Sequence, residues 1–295
     1  MTTRTLRQVI ALFAAGSVLA TGLFAQNPAP KLEFPQPSPA ATLKQRVGIT
    51  DITVEYSRPS LKGRKAFGPG GLEPYGAVWR TGANNATKIT FSTDVKFGGK
   101  DVPAGTYSLF SIPGENEWTV ILNSASGWGS YGYDQSKDVA RVTVKPVTLS
   151  NPLETFSIGF SNLRPTAATF YLSWEKARVP VEIEVDVIAK LQPQIESVMA
   201  SDAKDKPYFG AAMFYYENNL DLNKAAEWVD AGLAAQPNAF WMHYRKGLIL
   251  AKKGDKAGAL AAAQKSKELA LGSNQPQSLK DEYVRLNDTL IASLK

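Results

Sequence analysis

His243 is the only histidine of the chain, and cysteine is absent. That removes a serine–histidine–acid triad, a cysteine–histidine pair and a histidine metal cluster from consideration. It also removes disulfides and any lipid carried on a thiol. His243 falls within a helical repeat, at a position that packs against its hairpin partner, so its expected role is structural. Carboxylates remain. Glycoside hydrolysis needs two of them facing each other across a sugar, about 5–9.5 Å apart. Glu55, Glu73, Asp94, Asp134, Asp138 and Glu175 are available. Strand alternation puts Glu55, Asp94 and Glu175 on solvent-facing sides, where charged residues stand by default. The stretch "YDQSKD" (Tyr133–Asp138) offers a calcium ion only two acids. "GPGGLEPYG" (Gly68–Gly76) has neither the spacing of a phosphate loop nor the helix that must follow one. The expectation is therefore no catalytic residue, no metal and no cofactor.

Aromatic rings and guanidinium groups outside the regular strands are what is left. "AVWRTGANNATKITF" (Ala77–Phe91) begins without any period and carries Trp79, Arg80 and Asn84. "GWGSYGYD" (Gly127–Asp134) sets Trp128, Tyr131 and Tyr133 among glycines. "RPSLKGRK" (Arg58–Lys65) holds Arg58, Lys62 and Arg64 with no acid. Flat rings and fixed donors suit stacking on a sugar, or paired hydrogen bonds to a carboxylate or phosphate. The same residues suit a structural role, with tryptophans plugging the end of a β-sandwich and arginines tying loops to carbonyls. "VWRTGANN" is thus either the wall of a ligand cleft or a plug.

The elements that must position these residues are of two kinds. Between about residues 41 and 187 the pattern has period two. In "KITFSTDVKF" (Lys88–Phe97), Ile89, Phe91, Thr93, Val95 and Phe97 share one face. "RVTVKPV", "ETFSIGF", "ATFYLSWEK" and "PVEIEVDV" repeat the alternation, and "TYSLFSI" and "EWTVILN" read as central strands joined by "PGEN". About eight strands with no helix between them predict an antiparallel β domain, sandwich or barrel. The period then changes. Residues 188–205 hold a connecting helix, with Pro193 in its first turn or kinking it. Residues 206–295 repeat at an offset of 34: Asp221 with Asp255, Ala225 with Ala259, Val229 with Ala263, Gly232 with Ser266. That period, with helix–turn–helix patterning, predicts an all-α region of tetratricopeptide-like hairpins. Two copies bury too little, so the helix before them and "SLKDEYVRLNDTLIASL" (Ser278–Leu294) are expected to cap the stack.

The N-terminus reads as an export signal over 1–25, with Arg4 and Arg7 ahead of the apolar run "VIALFAAGSVLA" (Val9–Ala20) and a small residue at the cleavage point. The run is shorter than the roughly 20 apolar residues of a spanning helix, so no membrane span is expected after cleavage. Residues 26–40 carry five prolines in "QNPAPKLEFPQPSP" and read as an extended linker. Loss of Arg4 and Arg7, from 33 basic against 27 acidic residues, leaves a net +4. That is too mild and too evenly spread for a nucleic-acid partner.

"YSRPSLKGRKAFG", "PYGAVWRTGANNATKITFSTDV", "PAGTYSLFSIPGENEWTVILN", "GWGSYGYD" and "LSWEKARVPVEI" together resemble the secreted bacterial domain-of-unknown-function family 2911 over about residues 38–187. The resemblance implies an exported β domain. It brings no established activity, ligand or catalytic residue. The expectation for function is an exported, periplasmic or secreted, non-catalytic binding or scaffold protein. Its β domain would take a glycan or small anionic ligand at Arg58, Lys62, Arg64, Trp79, Arg80, Asn84, Trp128, Tyr131 and Tyr133. Its helices would take a protein or peptide. The alternative is a cell-envelope carbohydrate-active enzyme using paired carboxylates beside Trp128.

Overall fold

Side chains that alternate in and out along ten antiparallel strands build two sheets over one shared core. The strands are β1 (Ala40–Val47), β2 (Thr50–Ser57), β3 (Thr87–Phe91), β4 (Val95–Phe97), β5 (Lys100–Val102), β6 (Gly105–Ile112), β7 (Trp118–Asn123), β8 (Asp138–Val144), β9 (Val147–Arg164) and β10 (Ala167–Glu184). One sheet has the order β1-β2-β3-β6-β7-β8, the other β5-β4-β10-β9. The inner face of the first contributes Ile52, Val54, Ile89, Phe91, Leu109 and Val120; the second answers with Phe97, Ile158, Phe170, Leu172, Val181 and Ile183. Each such side chain stabilises the fold by about 1.5–3 kcal/mol on burial. The result is a sandwich. The structure, a computed structural model, describes residues 32, 34–125 and 129–295. The expected signal segment 1–25, the start of the linker and Trp128 lie outside the described residues. Among the described residues, the strands and helices fall in the unit Pro37–Lys295.

The strands number ten where the sequence pattern reads about eight. "KITFSTDVKF" is two strands: β3 pairs with β2 and β6, while β4 pairs with β10 and β5 in the other sheet. The chain bends at Ser92–Asp94, where the Ser92 hydroxyl accepts from the Asp51 amide (2.8 Å) and the Asp94 carboxylate from the Ala104 amide (2.9 Å). Inward alternation survives the crossing, with Phe91 and Val95 both buried. Conversely, "ATFYLSWEK" and "PVEIEVDV" run on as one 18-residue strand, β10, whose register against β9 shifts between Ser173 and Ala177.

Six helices follow: α1 (Val187–Ala200), α2 (Tyr208–Glu217), α3 (Leu222–Ala235), α4 (Phe240–Lys253), α5 (Lys256–Gly272) and α6 (Gln277–Ser293). Pro193 lies beyond the first turn of α1, inside the helix. The 34-residue offset has a physical counterpart. Asp221 and Asp255 are both N-caps, accepting from the amides of Asn223 and Gly258 at 2.8 Å. Ala225, Ala259, Val229 and Ala263 are all fully buried between helices. His243 is half-buried, its Nε2 donating to the Pro237 carbonyl (2.9 Å). Helix α1 joins the two regions. Val187 belongs to the sandwich core, Ile195 to the helical core, and Leu191 packs against both. Among the described residues no helix is long and apolar enough to cross a membrane.

Candidate functional site

The aperiodic segment before β3 is a detour from the sheet. Trp79 exchanges both backbone hydrogen bonds with Ser111, at 2.7 and 2.9 Å, and so continues the line of β3 along β6. The chain then loops out and returns where the Thr87 amide donates to the Arg80 carbonyl (3.2 Å). Left-handed backbone occurs at Thr81 (φ 52°), Gly82 (φ 150°) and Asn84 (φ 59°). A Cβ on Gly82 would stand 2.9 Å from the Ser57 carbonyl oxygen. For the β-branched Thr81 this conformation costs about 1–3 kcal/mol. Three hydrogen bonds hold it: the Thr81 hydroxyl with that of Ser111 (2.9 Å), the Thr87 hydroxyl to the Thr81 carbonyl (2.6 Å), and Trp79 Nε1 to the Gly82 carbonyl (3.0 Å).

Because Trp79 takes an inward sheet position, its ring is 1% exposed and has no open face for a ligand. It packs edge-on against Phe67 and Phe156 and stacks on Trp174. This corrects the expectation of a ligand-stacking tryptophan: the residue is the plug. Two arginines serve the same structural end. Arg58 Nε donates to the Phe156 carbonyl (3.0 Å), fastening the end of β2 to β9. Arg64 closes its own turn, donating to the carbonyls of Leu61 (2.8 Å) and Ser60 (3.0 Å). Lys62 is exposed, and its amide donates to Glu154 Oε1 (2.7 Å). Arg58 and Lys62 thus both reach β9. Arg80 lies against Gly129, and the Asn84 loop lies against Ser57, the residue before Arg58.

Asn84 uses its amide to bind the Ser38 carbonyl and the Ser57 hydroxyl, both at 3.2 Å. Tyr131 is 97% exposed. The Tyr133 hydroxyl donates to Asp138 (2.8 Å) and accepts from Arg141 (2.7 Å), while its ring meets Phe110 edge-on. Burial, reinforced by Asp138, pushes its phenol above the ordinary value.

Arg80 keeps chemical interest. Its guanidinium passes over Gly129, where a Cβ would lie 3.0 Å from Nη1. It acts on Glu73, which strand alternation left unplaced. The Glu73 amide donates to the Ala66 carbonyl (2.9 Å) and its carbonyl accepts from Gly68 (3.0 Å), pinning the loop. Burial raises the Glu73 carboxyl to about 7, with Arg80 pulling the other way. A carboxyl raised toward neutrality within range of a guanidinium charge is equipped to exchange a proton. No periodicity betrays Glu73, because its environment comes from a loop folding onto itself.

Two other hollows carry charged residues in their linings. A cavity of 240 Å³ beside the loop is lined by Glu55, Ser57, Asn85 and Lys88. A cleft of 950 Å³ lies where α1 meets β4, β5 and β10. Its charges are largely paired with one another: Lys190 with Asp94, Lys96 with Asp101, Arg164 with Glu182. Among the described residues, no three histidine, cysteine, aspartate or glutamate side chains gather closely enough to hold a metal ion.

Residues 38–183 match the profile of a family described as Protein of unknown function (DUF2911). The β domain belongs to that family. The match starts just before β1 and stops one residue short of the end of β10, so the DUF2911 domain is the whole sandwich and the helices lie beyond it. No curated protein and no solved structure matches the chain.

Proposed function

We propose that this is an exported, non-catalytic binding or scaffold protein. Its DUF2911 domain takes a small anionic ligand or glycan at the loop carrying Arg80, and its helices, stacked as tetratricopeptide-like hairpins, hold a protein or peptide. The observation that carries the reading is a row of side chains on alternate helices: Tyr216 on α2, Tyr244 and Arg245 on α4, Tyr283 on α6. The rings of Tyr244 and Tyr283 meet edge-on at 5.9 Å, and the charge of Arg245 reaches both Tyr216 and Tyr283. Lys252 Nζ lies 4.6 Å above the Tyr216 ring. Tyrosine and arginine are the residue types that dominate binding energy at interfaces, and stacked hairpins present such rows as extended surfaces.

The test is selection of a displayed peptide library on the full chain, followed by titration of the selected peptides against Arg245→Ala and Tyr244→Ala. Weakening by tenfold or more supports the reading; peptides that bind both variants as tightly as the parent overturn it. Export is tested by sequencing the N-terminus of the protein recovered from fractionated cells. A start at Gln26 outside the cytoplasm supports it; an intact leader in the cytoplasm does not.

One observation favours the enzymatic alternative. Glu73, titrating at about 7, suits a general acid. Glu73→Gln abolishing hydrolysis of a cell-wall polysaccharide would establish that reading. Absence of any such hydrolysis by the parent protein removes it.

A further inference from the structure

We propose that the mouth of the sandwich binds one ring of a neutral, polyhydroxylated ligand, a single pyranose of a glycan. A cavity of 230 Å³ opens there, among the loop before β3, the β6–β7 turn, the β8–β9 connection and the irregular stretch of β10. Its floor is the edge of the aromatic core, Phe67 and Trp118, whose rings meet edge-on at 4.7 Å. Its open wall is Tyr75, 40% exposed. The tyrosine rests on Gly68, where a Cβ would stand 2.7 Å from Cε2. Only a residue without that atom lets the ring lie there.

The polar groups around this floor come in balanced signs. Lys65 and Lys176 stand with Glu115 and Glu175. An anion would meet two carboxylates and a cation two ammonium groups. A neutral ligand bearing hydroxyls, each able to donate and accept, satisfies both. Glu175 is fixed in place, since its Oε2 accepts from the Ala66 amide (3.0 Å), and Oε1 keeps its own accepting capacity. Sites for drug-sized ligands measure about 300–1,000 Å³, so this one admits a single ring, with the remainder of a chain outside. Apolar ring hydrogens against Tyr75 and Trp118, with hydroxyls toward the rim, is the arrangement that these residue types favour. The cavity shares no residue with the Arg80 loop, so either site can fail without the other.

The full chain is titrated with glucose, galactose and N-acetylglucosamine, each followed by saturation-transfer NMR, with inorganic phosphate as the anionic control. Saturable binding of at least one sugar is expected. Tyr75→Ala and Glu175→Gln should weaken it tenfold or more, Lys44→Ala, at an exposed position on β1, should leave it unchanged, and phosphate should not compete. Lys176→Met, at an exposed position away from the core, is the further variant should Tyr75→Ala fail to fold, and it too should weaken binding. No saturable signal from the three sugars, binding indifferent to the variants at the mouth, or displacement by phosphate overturns the proposal.

Discussion

The indole of Trp79 lies nearly parallel to that of Trp174, with ring centroids 5.8 Å apart and planes 19° from coplanar. Trp79 enters from a loop beside the six-stranded sheet and Trp174 from β10 in the other, so the stack ties the sheets together where the sandwich closes. Phe67, Trp118 and Phe156 surround it.

Trp79→Ala should therefore cost about 3–5 kcal/mol of stability, as large buried aromatics do, read from the urea midpoint. Trp174→Ala should cost a similar amount. The double variant should lose less than the sum, because both truncations open one cavity. A Trp79→Ala protein as stable as the parent would show that the ring is not part of the core.

Glu73 sets a pH dependence near neutrality. With a folded value of about 7 against an ordinary 4.5, the folded state holds the proton more tightly than the unfolded chain between those values. Stability therefore falls as pH rises across that window and levels off above it. Glu73→Gln should flatten the slope and stabilise the protein at pH 8 by about 1 kcal/mol, allowing for the part of the carboxyl that water screens. Arg80→Ala removes the charge that opposes burial and should move the Glu73 midpoint higher, measured by carboxyl NMR.

The opposite sign holds at Glu196. Lys224, Tyr215 and Gln192 hydrogen-bond its carboxylate and hold it down to about 2, from 4.5. The contribution is fully present above the unfolded value and is lost as pH falls through the window toward 2. Glu196→Gln should make the acid limb of a circular-dichroism titration shallower between those limits. An unchanged limb would mean that the contact between α1 and α3 carries no linkage.

Part of this architecture is legible in the sequence because it depends on local periodicity. Asp221 and Asp255 recur at the repeat offset, and both cap helices. The alternation that marks Phe91, Val95 and Phe97 as inward also holds in the fold. The same alternation conceals the crossing at Ser92–Asp94, since side chains keep their period while the backbone changes sheets. Trp79 is harder still. Whether a tryptophan in an aperiodic stretch faces solvent or the interior is decided by its pairing with Ser111, a partner more than thirty positions away. Arg58 is hidden for the same reason, as its acceptor is a carbonyl on β9.

The two caps give a direct test of the repeat. Asp221→Ala and Asp255→Ala should each cost about 1 kcal/mol, within a range of 0.5–2, with asparagine at either position restoring most of it. Thermal melts read by circular dichroism measure this. Loss at one position only would show that the two hairpins are not equivalent units.

Between the last strand and α1 there are only two residues, Val185 and Asp186, and α1 then sends side chains into two different interiors. A force applied at the carboxyl end reaches the sheets through a helix anchored at both ends rather than through a slack leash. The helices would consequently turn the sandwich as a handle turns its blade, and melting one region would drag on the other.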